Sequence, residues 1–319
     1  MKRLLLLFLL LVSSGGWAAC TVSTVNAAFG SVTSFAVGGS NELEVMGRLV
    51  VRCDTILNVL TNDSVTLSYT GATVSASSRA NLKRTDNTTV PDVIPVRLCG
   101  QTSCGGSGEV LIGRSYTWSG GTLLGLLGSQ QYNLPLYFRT VPGQNVSAGP
   151  YQVVLNFSVN YNVCAAGVGV CLSPQTGTVA TSITLNMNVT NDCSTFSTPN
   201  VSFGSSPVVQ NFPTVSQSIG VTCTKGSSYT IGINNGSYAS NNVRYMASGN
   251  NRLAYEIYKA ATGNRWGSTG SERWASSASS QVSTDGLLRT YNYTAKVLPS
   301  QTTPAAGTYT DTLVVDVAF

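Results

Sequence analysis

The sequence contains no histidine, which excludes several kinds of chemistry. Without an imidazole there is no Ser-His or Cys-His pair for nucleophilic catalysis and no histidine ligand for zinc. Charged residues are also scarce, at 10% of the chain, and no basic run extends beyond Lys2-Arg3 and Lys83-Arg84. We therefore expect neither an enzyme nor a partner of nucleic acid, and no metal or cofactor.

Long apolar runs are lacking outside the N-terminus. There, Lys2-Arg3 precedes the apolar stretch 4–12, and the small residues Ala18 and Ala19 follow it. This order is typical of a secretory signal peptide, and the apolar stretch is too short to span a bilayer. The sequence thus predicts a signal peptide over residues 1–19 and export through the periplasm.

A CxxC motif is also missing, although the chain has eight cysteines. An even number of cysteines in an exported chain predicts a disulfide framework, with metal binding as the weaker alternative. We pair neighbours along the chain, because the internal repeat described below makes the first and last pairs equivalent. The predicted pairs are Cys20 with Cys53, Cys99 with Cys104, Cys164 with Cys171, and Cys193 with Cys223.

What the sequence does have is β-type patterning. Short runs rich in Val, Leu, Tyr and Thr alternate with Gly, Pro, Asn and Ser, and no segment of helical period is long enough to matter. At 319 residues the chain has room for two domains with their own cores. We predict two tandem immunoglobulin-like antiparallel β-sandwiches, with a barrel as the alternative.

The two halves repeat one design. Residues 149–161 align without a gap to residues 307–319, so that Gly, Tyr, Leu, Val and a final aromatic coincide. At the front of each half a cysteine leads to Phe-Gly, at Phe29-Gly30 in one and Phe203-Gly204 in the other. We place the boundary between the two domains near Asn191.

Between the halves lies an unusually long alternating stretch, residues 178–191, which predicts a half-buried β-strand. We expect it to complete the sheet of the first domain, residues 20–177, as an internal donor strand. The second domain, residues 192–319, would lack an equivalent last strand and would have an open groove that another subunit fills. The inward residues of the donor strand are predicted to be Val179, Thr181, Ile183, Leu185, Met187 and Val189. The acceptor groove and chaperone contact are predicted at Tyr309, Leu313, Val315, Val317 and Phe319.

These features resemble the spore coat protein U-like domain family, which builds archaic chaperone–usher pili. The resemblance is carried by the Cys and Phe-Gly elements, by 252–258 with Trp266-Gly267 after it, and by the closing 307–319. It covers the whole mature chain but is weaker in the first half, where residues 97–99 depart from the pattern. It implies a two-domain tip adhesin, displayed at the cell surface, whose partners are a periplasmic chaperone, an outer-membrane usher and an adjacent pilin subunit.

Three apolar loops are expected at the far end of the first domain. The alternation of antiparallel strands brings the loop after Cys53, the loop before Tyr132 and the loop 162–177 to one end. Clustered apolar residues on exposed loops mark contact sites, here for an abiotic or host surface and hence for biofilm formation. The predicted contact residues are Ile56, Leu57, Val59, Leu60, Leu123, Leu124, Leu126, Leu127, Ala165, Ala166, Val168 and Val170. The alternative is that these side chains are buried, with 123–127 forming a short helix or an extra core strand.

Two other functions stay open on the sequence alone. A carbohydrate-binding pilus adhesin would need aromatic platforms, for which Tyr116-Thr-Trp118 is the candidate in the first half. A structural spore-coat or shaft subunit is the other. The carboxylates of Glu256, Glu272 and Asp285 could form an acidic pair, although nothing in their spacing marks them out.

Overall fold

The computed structural model describes residues 20–53, 57–59, 62–102, 104, 108–124, 126–128, 131–164, 166–168 and 170–319. The predicted signal peptide, residues 1–19, lies outside this part. The described chain separates into two compact units. The first comprises the residues up to 31 together with 40–144 and 150–188, and the second comprises 32–39, 145–149 and 189–319.

Nearly all regular structure in the described residues is β. The helical segments are short: α1 (Ser34–Gly38), α2 (Gly120–Leu124) and 3-10 turns at Val209–Asn211, Gly270–Glu272 and Ser276–Ala278. The strands of the first part are β1 (Thr21–Val25), β2 (Ala27–Thr33), β3 (Glu44–Arg52), β4 (Leu57–Val59), β5 (Ser64–Ala72), β6 (Ser75–Ala76), β7 (Arg79–Arg84), β8 (Val93–Cys99), β9 (Ser115–Ser119), β10 (Leu127–Gly128), β11 (Gln131–Thr140), β12 (Gly149–Cys164), β13 (Ala166–Val168), β14 (Val170–Cys171) and β15 (Pro174–Thr190). Those that follow are β16 (Cys193–Ser197), β17 (Val215–Cys223), β18 (Thr230–Ile233), β19 (Arg244–Ser248), β20 (Asn251–Lys259), β21 (Trp274–Ala275), β22 (Gln281–Val282), β23 (Leu288–Val297) and β24 (Val315–Ala318).

The first unit is built on one large sheet, in the order β1-β3-β11-β8-β7-β12-β15-β2, with β5 joining β12 and β9 joining β5. Strand β11 shows why these residues form strands. Its side chains alternate strictly between buried and half-buried, and Leu134, Leu136 and Phe138 are fully buried. One face of the strand therefore supplies core while the other meets solvent.

The second unit has two sheets, one in the order β16-β17-β23-β20-β19 and one in the order β21-β18-β24. Its core is rich in aromatic rings. Trp266 is fully buried, packs edge-on to Trp274 with ring centroids 4.9 Å apart, and donates from Nε1 to the Ile231 carbonyl at 3.0 Å. The expected all-β class and the pair of antiparallel sandwiches are confirmed.

The repeat seen in the sequence is also a repeat of strand register. In the first unit Val159 of β12 pairs with Leu67 of β5, and in the second Val317 of β24 pairs with Ile231 of β18. The strand beyond β5 is β9, and the strand beyond β18 is β21, again antiparallel. Strands β12 and β24 are therefore equivalent elements, which allows the two units to be compared residue by residue.

Four disulfides link the cysteines, in the four pairs expected from the sequence. Two of them take equivalent places. Cys20 with Cys53 links the start of β1 to the end of its partner β3, and Cys193 with Cys223 links β16 to the end of its partner β17, with Cα atoms 4.2 Å and 4.0 Å apart. Each bond holds the first strand of its unit in place.

Candidate functional site

Strand β15, which contains the long alternating stretch, lies inside the sheet of the first unit, between β12 and β2. Its register against β12 follows from two side-chain contacts. Gln152 Nε2 donates to Asn186 Oδ1 at 2.8 Å, and Asn160 Nδ2 donates to Thr178 Oγ1 at 3.0 Å. As β12 advances by eight residues β15 goes back by eight, so the two strands are antiparallel.

On its other side β15 runs parallel to β2. The Thr184 amide donates to Asn26 Oδ1 at 3.0 Å, and Thr190 Oγ1 donates to the Val32 carbonyl at 3.2 Å. Both contacts join residues 158 positions apart, which is the constant offset of parallel strands. Both edges of β15 are therefore occupied, one by β12, which lies just before it in the sequence, and one by β2 from the start of the described chain.

The inward face of β15 is a continuous apolar row. Ile183 and Leu185 are fully buried, and Met187 and Val189 nearly so, while Val179 and Thr181 are half-buried. Opposite this row, the inward residues of β12 from Tyr151 to Tyr161 are all buried. Five of the six residues assigned to the donor strand belong to the first unit, where burial is complete or nearly so from Ile183 to Met187, and the sixth, Val189, belongs to the second.

Strand β24, the equivalent of β12, has a different environment. It lies at the edge of its sheet, beside β18, and no strand pairs with its other edge among residues 170–319, all of which the structure describes. The inward side chains of β24 and of the segment before it are only partly covered, and those packed against the core of the second unit are Tyr309, Leu313, Val315 and Val317. Phe319 is 62% exposed, whereas Tyr161, its counterpart in the first unit, is 3% exposed.

The front of the second unit differs from the front of the first in its strand pairing. Strand β16 is the edge of the other sheet and pairs with β17, and within the described chain no strand pairs with its free side. In the first unit the corresponding segment around Phe29-Gly30 belongs to β2, which pairs with β15. Gly204 has a φ of 73°, nearly the same as the 74° of Gly30, so the backbone shape is kept although residues 199–204 form no strand. Residues 199–204, the counterpart of β2, therefore pair with no strand among residues 170–319.

The apolar loops of the first unit do lie at one end of it. Arg52 at the end of β3 pairs with Gln131 at the start of β11. Ser64 at the start of β5 pairs with Asn162 near the end of β12 and with Ser119 at the end of β9. The loops that follow or precede these residues must leave the sheet on the same side, and we call this side the distal end.

Two of the distal loops join in a small sheet. Strand β13, inside the loop closed by Cys164 and Cys171, pairs in parallel with β4, so that Ala166 lies opposite Leu57 and Val168 opposite Val59. A buried carboxylate lies beneath them. Asp63 accepts a hydrogen bond from the Tyr132 hydroxyl at 2.5 Å and another from the Cys164 amide at 3.0 Å.

A family model, the Spore Coat Protein U domain, matches residues 6–157 and 178–316, which is most of the sequence. The chain belongs to this family. No curated protein matches the sequence. Membership in the spore coat protein U domain family confirms the resemblance drawn from the Cys, Phe-Gly and closing-strand elements.

Two solved structures are similar to this chain. A chain of the CsuC–CsuE chaperone–tip adhesion subunit pre-assembly complex from archaic chaperone–usher Csu pili of Acinetobacter baumannii is 24% identical, with a TM-score of 0.57, covering 94% of this chain and 100% of that one. The CupB6 tip adhesin from Pseudomonas aeruginosa is 12% identical, with a TM-score of 0.39, covering 94% of this chain and 95% of that one. The first of these similarities shows a common two-domain β-sandwich fold.

The distal residues of this spore coat protein U domain protein differ in exposure. Leu123 is fully buried on α2, so the expectation that it contacts a surface was wrong, and it packs in the core as the alternative had it. Leu126 and Leu127 are half-buried, whereas Val170 is 71% exposed. Leu172, which the sequence analysis did not single out, is 80% exposed, and its only signal is its position next to Cys171. Ile56, Leu60 and Ala165 lie outside the described residues, as do the side chains of Leu57, Val59, Leu124, Ala166 and Val168.

The two rings of the candidate aromatic platform pack against each other. Trp118 is buried, with Tyr116 packed edge-on against it at a centroid distance of 4.9 Å. Tyr116 in turn covers Gly100 so closely that a Cβ there would collide with the ring. Tyr116-Thr-Trp118 is therefore a packing element of the first unit.

Two of the three candidate carboxylates, Glu256 and Glu272, form ion pairs, whereas Asp285 accepts hydrogen bonds from the Ser283 hydroxyl and the Leu287 amide. Glu256 accepts hydrogen bonds from Arg244 and from Arg265, the latter at 2.7 Å, and Arg265 also contacts Glu272 at 2.5 Å. Burial lowers the pKa of Arg244, and the Glu256 carboxylate opposes that shift. Among the described residues no helix is long and apolar enough to cross a membrane, and no cluster of acidic or cysteine side chains could bind a metal ion.

Proposed function

We propose that this protein is the tip adhesin of an archaic chaperone–usher pilus. Membership in the spore coat protein U domain family and the fold shared with the Csu tip adhesion subunit support this proposal. In it, the first unit is the adhesive domain and the second is the pilin domain that attaches to the fibre. A domain boundary near 191 fits this division, with 178–191 as the internal donor strand.

One observation carries the proposal, namely the difference between β12 and β24. Strand β12 is covered by β15, whereas β24 has a strand on one side only and keeps its inward residues partly exposed. An exposed strand edge beside an uncovered core is a template for a strand from another chain. The second unit thus accepts a strand from the adjacent pilin subunit and, before assembly, from a periplasmic chaperone.

The first unit needs no such help, because β15 supplies its last strand from within the chain. The subunit consequently receives a strand at its second unit and has its own donor strand engaged internally, as expected of the terminal subunit of a fibre. Export through the periplasm, delivery to an outer-membrane usher and display at the pilus tip follow from this role. The Cys20–Cys53 and Cys193–Cys223 disulfides fit an oxidising compartment.

The distal end of the first unit is the proposed adhesive surface. Val170 and Leu172 lie on or next to the disulfide-closed loop and are the most exposed large apolar side chains of the described residues. Apolar residues on a loop fixed by a disulfide and by Asp63 favour a hydrophobic, weakly specific contact with an abiotic or host surface. Attachment of this kind would promote biofilm formation.

The decisive experiment locates the protein on assembled fibres. Cells that express the subunit with its chaperone, usher and shaft subunits are labelled with a gold-conjugated antibody against residues 20–177 and viewed by electron microscopy. One gold particle at the free end of a fibre is the expected result. Label distributed along the shaft would support a structural shaft subunit and refute the tip assignment.

A further inference from the structure

We propose that Asp311 makes the groove of the second unit selective, so that it prefers an incoming strand with a hydrogen-bond donor where β15 has Leu185. This inference rests on the proposed function, because it assumes that the groove accepts a strand. It adds a specificity-determining residue and a sequence requirement for the partner strand.

The first unit shows what such a groove holds. The register between β12 and β15 places Leu185 opposite Val153 and Ile183 opposite Leu155. These four side chains are all essentially buried. At this point of the first unit an aliphatic side chain therefore meets an aliphatic wall.

The second unit differs at one of these positions. The gap-free match between 149–161 and 307–319, which the strand ladders repeat, makes Leu313 the counterpart of Leu155 and Asp311 the counterpart of Val153. From Tyr309 to Ala318 the odd-numbered residues are half-buried and the even-numbered ones exposed, so Asp311 is on the inward face of the segment.

The carboxylate of Asp311 is held in this position. It accepts hydrogen bonds from the hydroxyl of Tyr255 at 2.6 Å, from the amide of Ser237 at 2.8 Å and from the amide of Thr312 at 2.8 Å. Gly236 makes room for the carboxylate, since a Cβ at residue 236 would collide with it. Tyr255 itself belongs to the buried core of the second unit. The charge is thus built into the wall of the groove.

The consequence for an incoming strand is one of desolvation. A strand that ran like β15 and carried a leucine at this point would cover the carboxylate with apolar atoms and remove its water. Covering a charge in this way is costly unless a polar partner replaces the water. An asparagine, serine, threonine or lysine at the same point would donate to Asp311, whereas the flanking positions would keep the aliphatic pattern of β15.

The rest of the required pattern also follows from β15. Gly177 lies against Tyr161, and a Cβ at residue 177 would collide with the ring. Phe319 is the counterpart of Tyr161, so a small residue is expected opposite it. Two residues further along the incoming strand, a Val179-like side chain would face Val317. A strand with the sequence of β15 itself would bind this groove poorly, because its Leu185 would face Asp311.

The test measures binding of two synthetic peptides to the full-length protein by fluorescence anisotropy. One peptide has the sequence of residues 178–191, and the other is the same peptide with Leu185→Asn, which preserves size. We expect the asparagine peptide to bind at least about tenfold more tightly, in line with the cost of covering a charge with apolar atoms. In the variant Asp311→Val this preference should reverse.

The outcomes separate this inference from the function on which it rests. Equal affinities, or a preference for the leucine peptide, in the unaltered protein would refute selectivity by Asp311 and leave the open groove intact. Failure of both peptides to bind either protein would refute the groove and the selectivity together. The variant Asp311→Asn, which keeps the shape but not the charge, should show an intermediate preference if the desolvated charge is the cause.

Discussion

Removal of β15 from the first unit should abolish its folding. Within the first unit the strand buries three inward side chains, those of Ile183, Leu185 and Met187. At about 1.5–3 kcal/mol for each fully buried side chain, their loss would cost roughly 4.5–9 kcal/mol. This is comparable with the whole free energy of unfolding of a typical domain, about 5–15 kcal/mol. The fragment 20–177 should therefore lack a cooperative unfolding transition.

Point substitutions refine this prediction. Leu185→Ala should lower the free energy of unfolding of the fragment 20–191 by about 2–5 kcal/mol, because a cavity is left in a fully buried row. For a domain of this size about 2–4 °C of melting temperature is lost per kcal/mol, so the expected decrease is roughly 4–20 °C. Ser182→Ala, on the exposed face of the same strand, is the matched control and should change stability by less than about 0.5 kcal/mol.

The assay is differential scanning calorimetry of the four proteins, with urea unfolding as a second measurement. The reasoning would be refuted if the fragment 20–177 melted cooperatively at the temperature of the fragment 20–191. It would also be refuted if Leu185→Ala and Ser182→Ala had equal effects, since β15 would then not present its two faces to core and solvent as described.

Three further predictions concern the rest of the protein. The fragment 192–319 expressed alone should aggregate or stay bound to a chaperone, because β24 and β16 have open edges. A fragment that was monodisperse in size-exclusion chromatography and had a high melting temperature would contradict this. Replacing Val170 and Leu172 with serine should abolish adhesion to plastic without changing secretion or fibre number. The same experiment extends to Leu124, Leu127 and Val168. If a free sugar inhibited adhesion by the unaltered protein, carbohydrate binding would be supported instead. The hydrogen bond from Arg79, at 2.6 Å, lowers the pKa of Glu109 in the folded state. This contact should therefore stabilise the first unit at a pH above the ordinary glutamate pKa, and its contribution should be lost as the pH falls through the lowered pKa. Melting temperatures measured between pH 6 and 3 should accordingly fall less steeply with acid in the variant Glu109→Gln than in the unaltered protein.

The position of β15 could be predicted because its inward and outward residues differ in kind over many positions. Val179 to Val189 supplies six inward side chains, and a shift by one residue would expose all of them, so register and burial determine each other. The unpaired edge beside 307–319 could be predicted from the repeat. Residues 149–161 and 307–319 match, but the sequence has a single alternating stretch like 178–191, which can pair with only one of them. The equivalence of the Cys20–Cys53 and Cys193–Cys223 pairs followed from the same repeat.

The distal loops could not be predicted to the same depth. The run 123–127 is apolar throughout, and such a run has no period that separates a buried helical turn from an exposed loop. Leu123 therefore looked like its neighbours although α2 buries it completely. Leu172 was missed for the opposite reason, since a single apolar residue after a cysteine forms no pattern. The burial of Trp118 depends on Tyr116 and Gly100, which only the folded chain brings together.

The path of β15 through the first unit has a mechanical consequence. The strand begins at the distal end, where adhesion is proposed, and ends at Thr190, three residues before Cys193. A pull between the distal end and Thr190 would run along the length of β15. Its ladders with β12 and β2 would then be loaded in shear, so that many hydrogen bonds must break together. An attachment between cell and surface that passes through such a strand would withstand a high pulling force and then break in a single step.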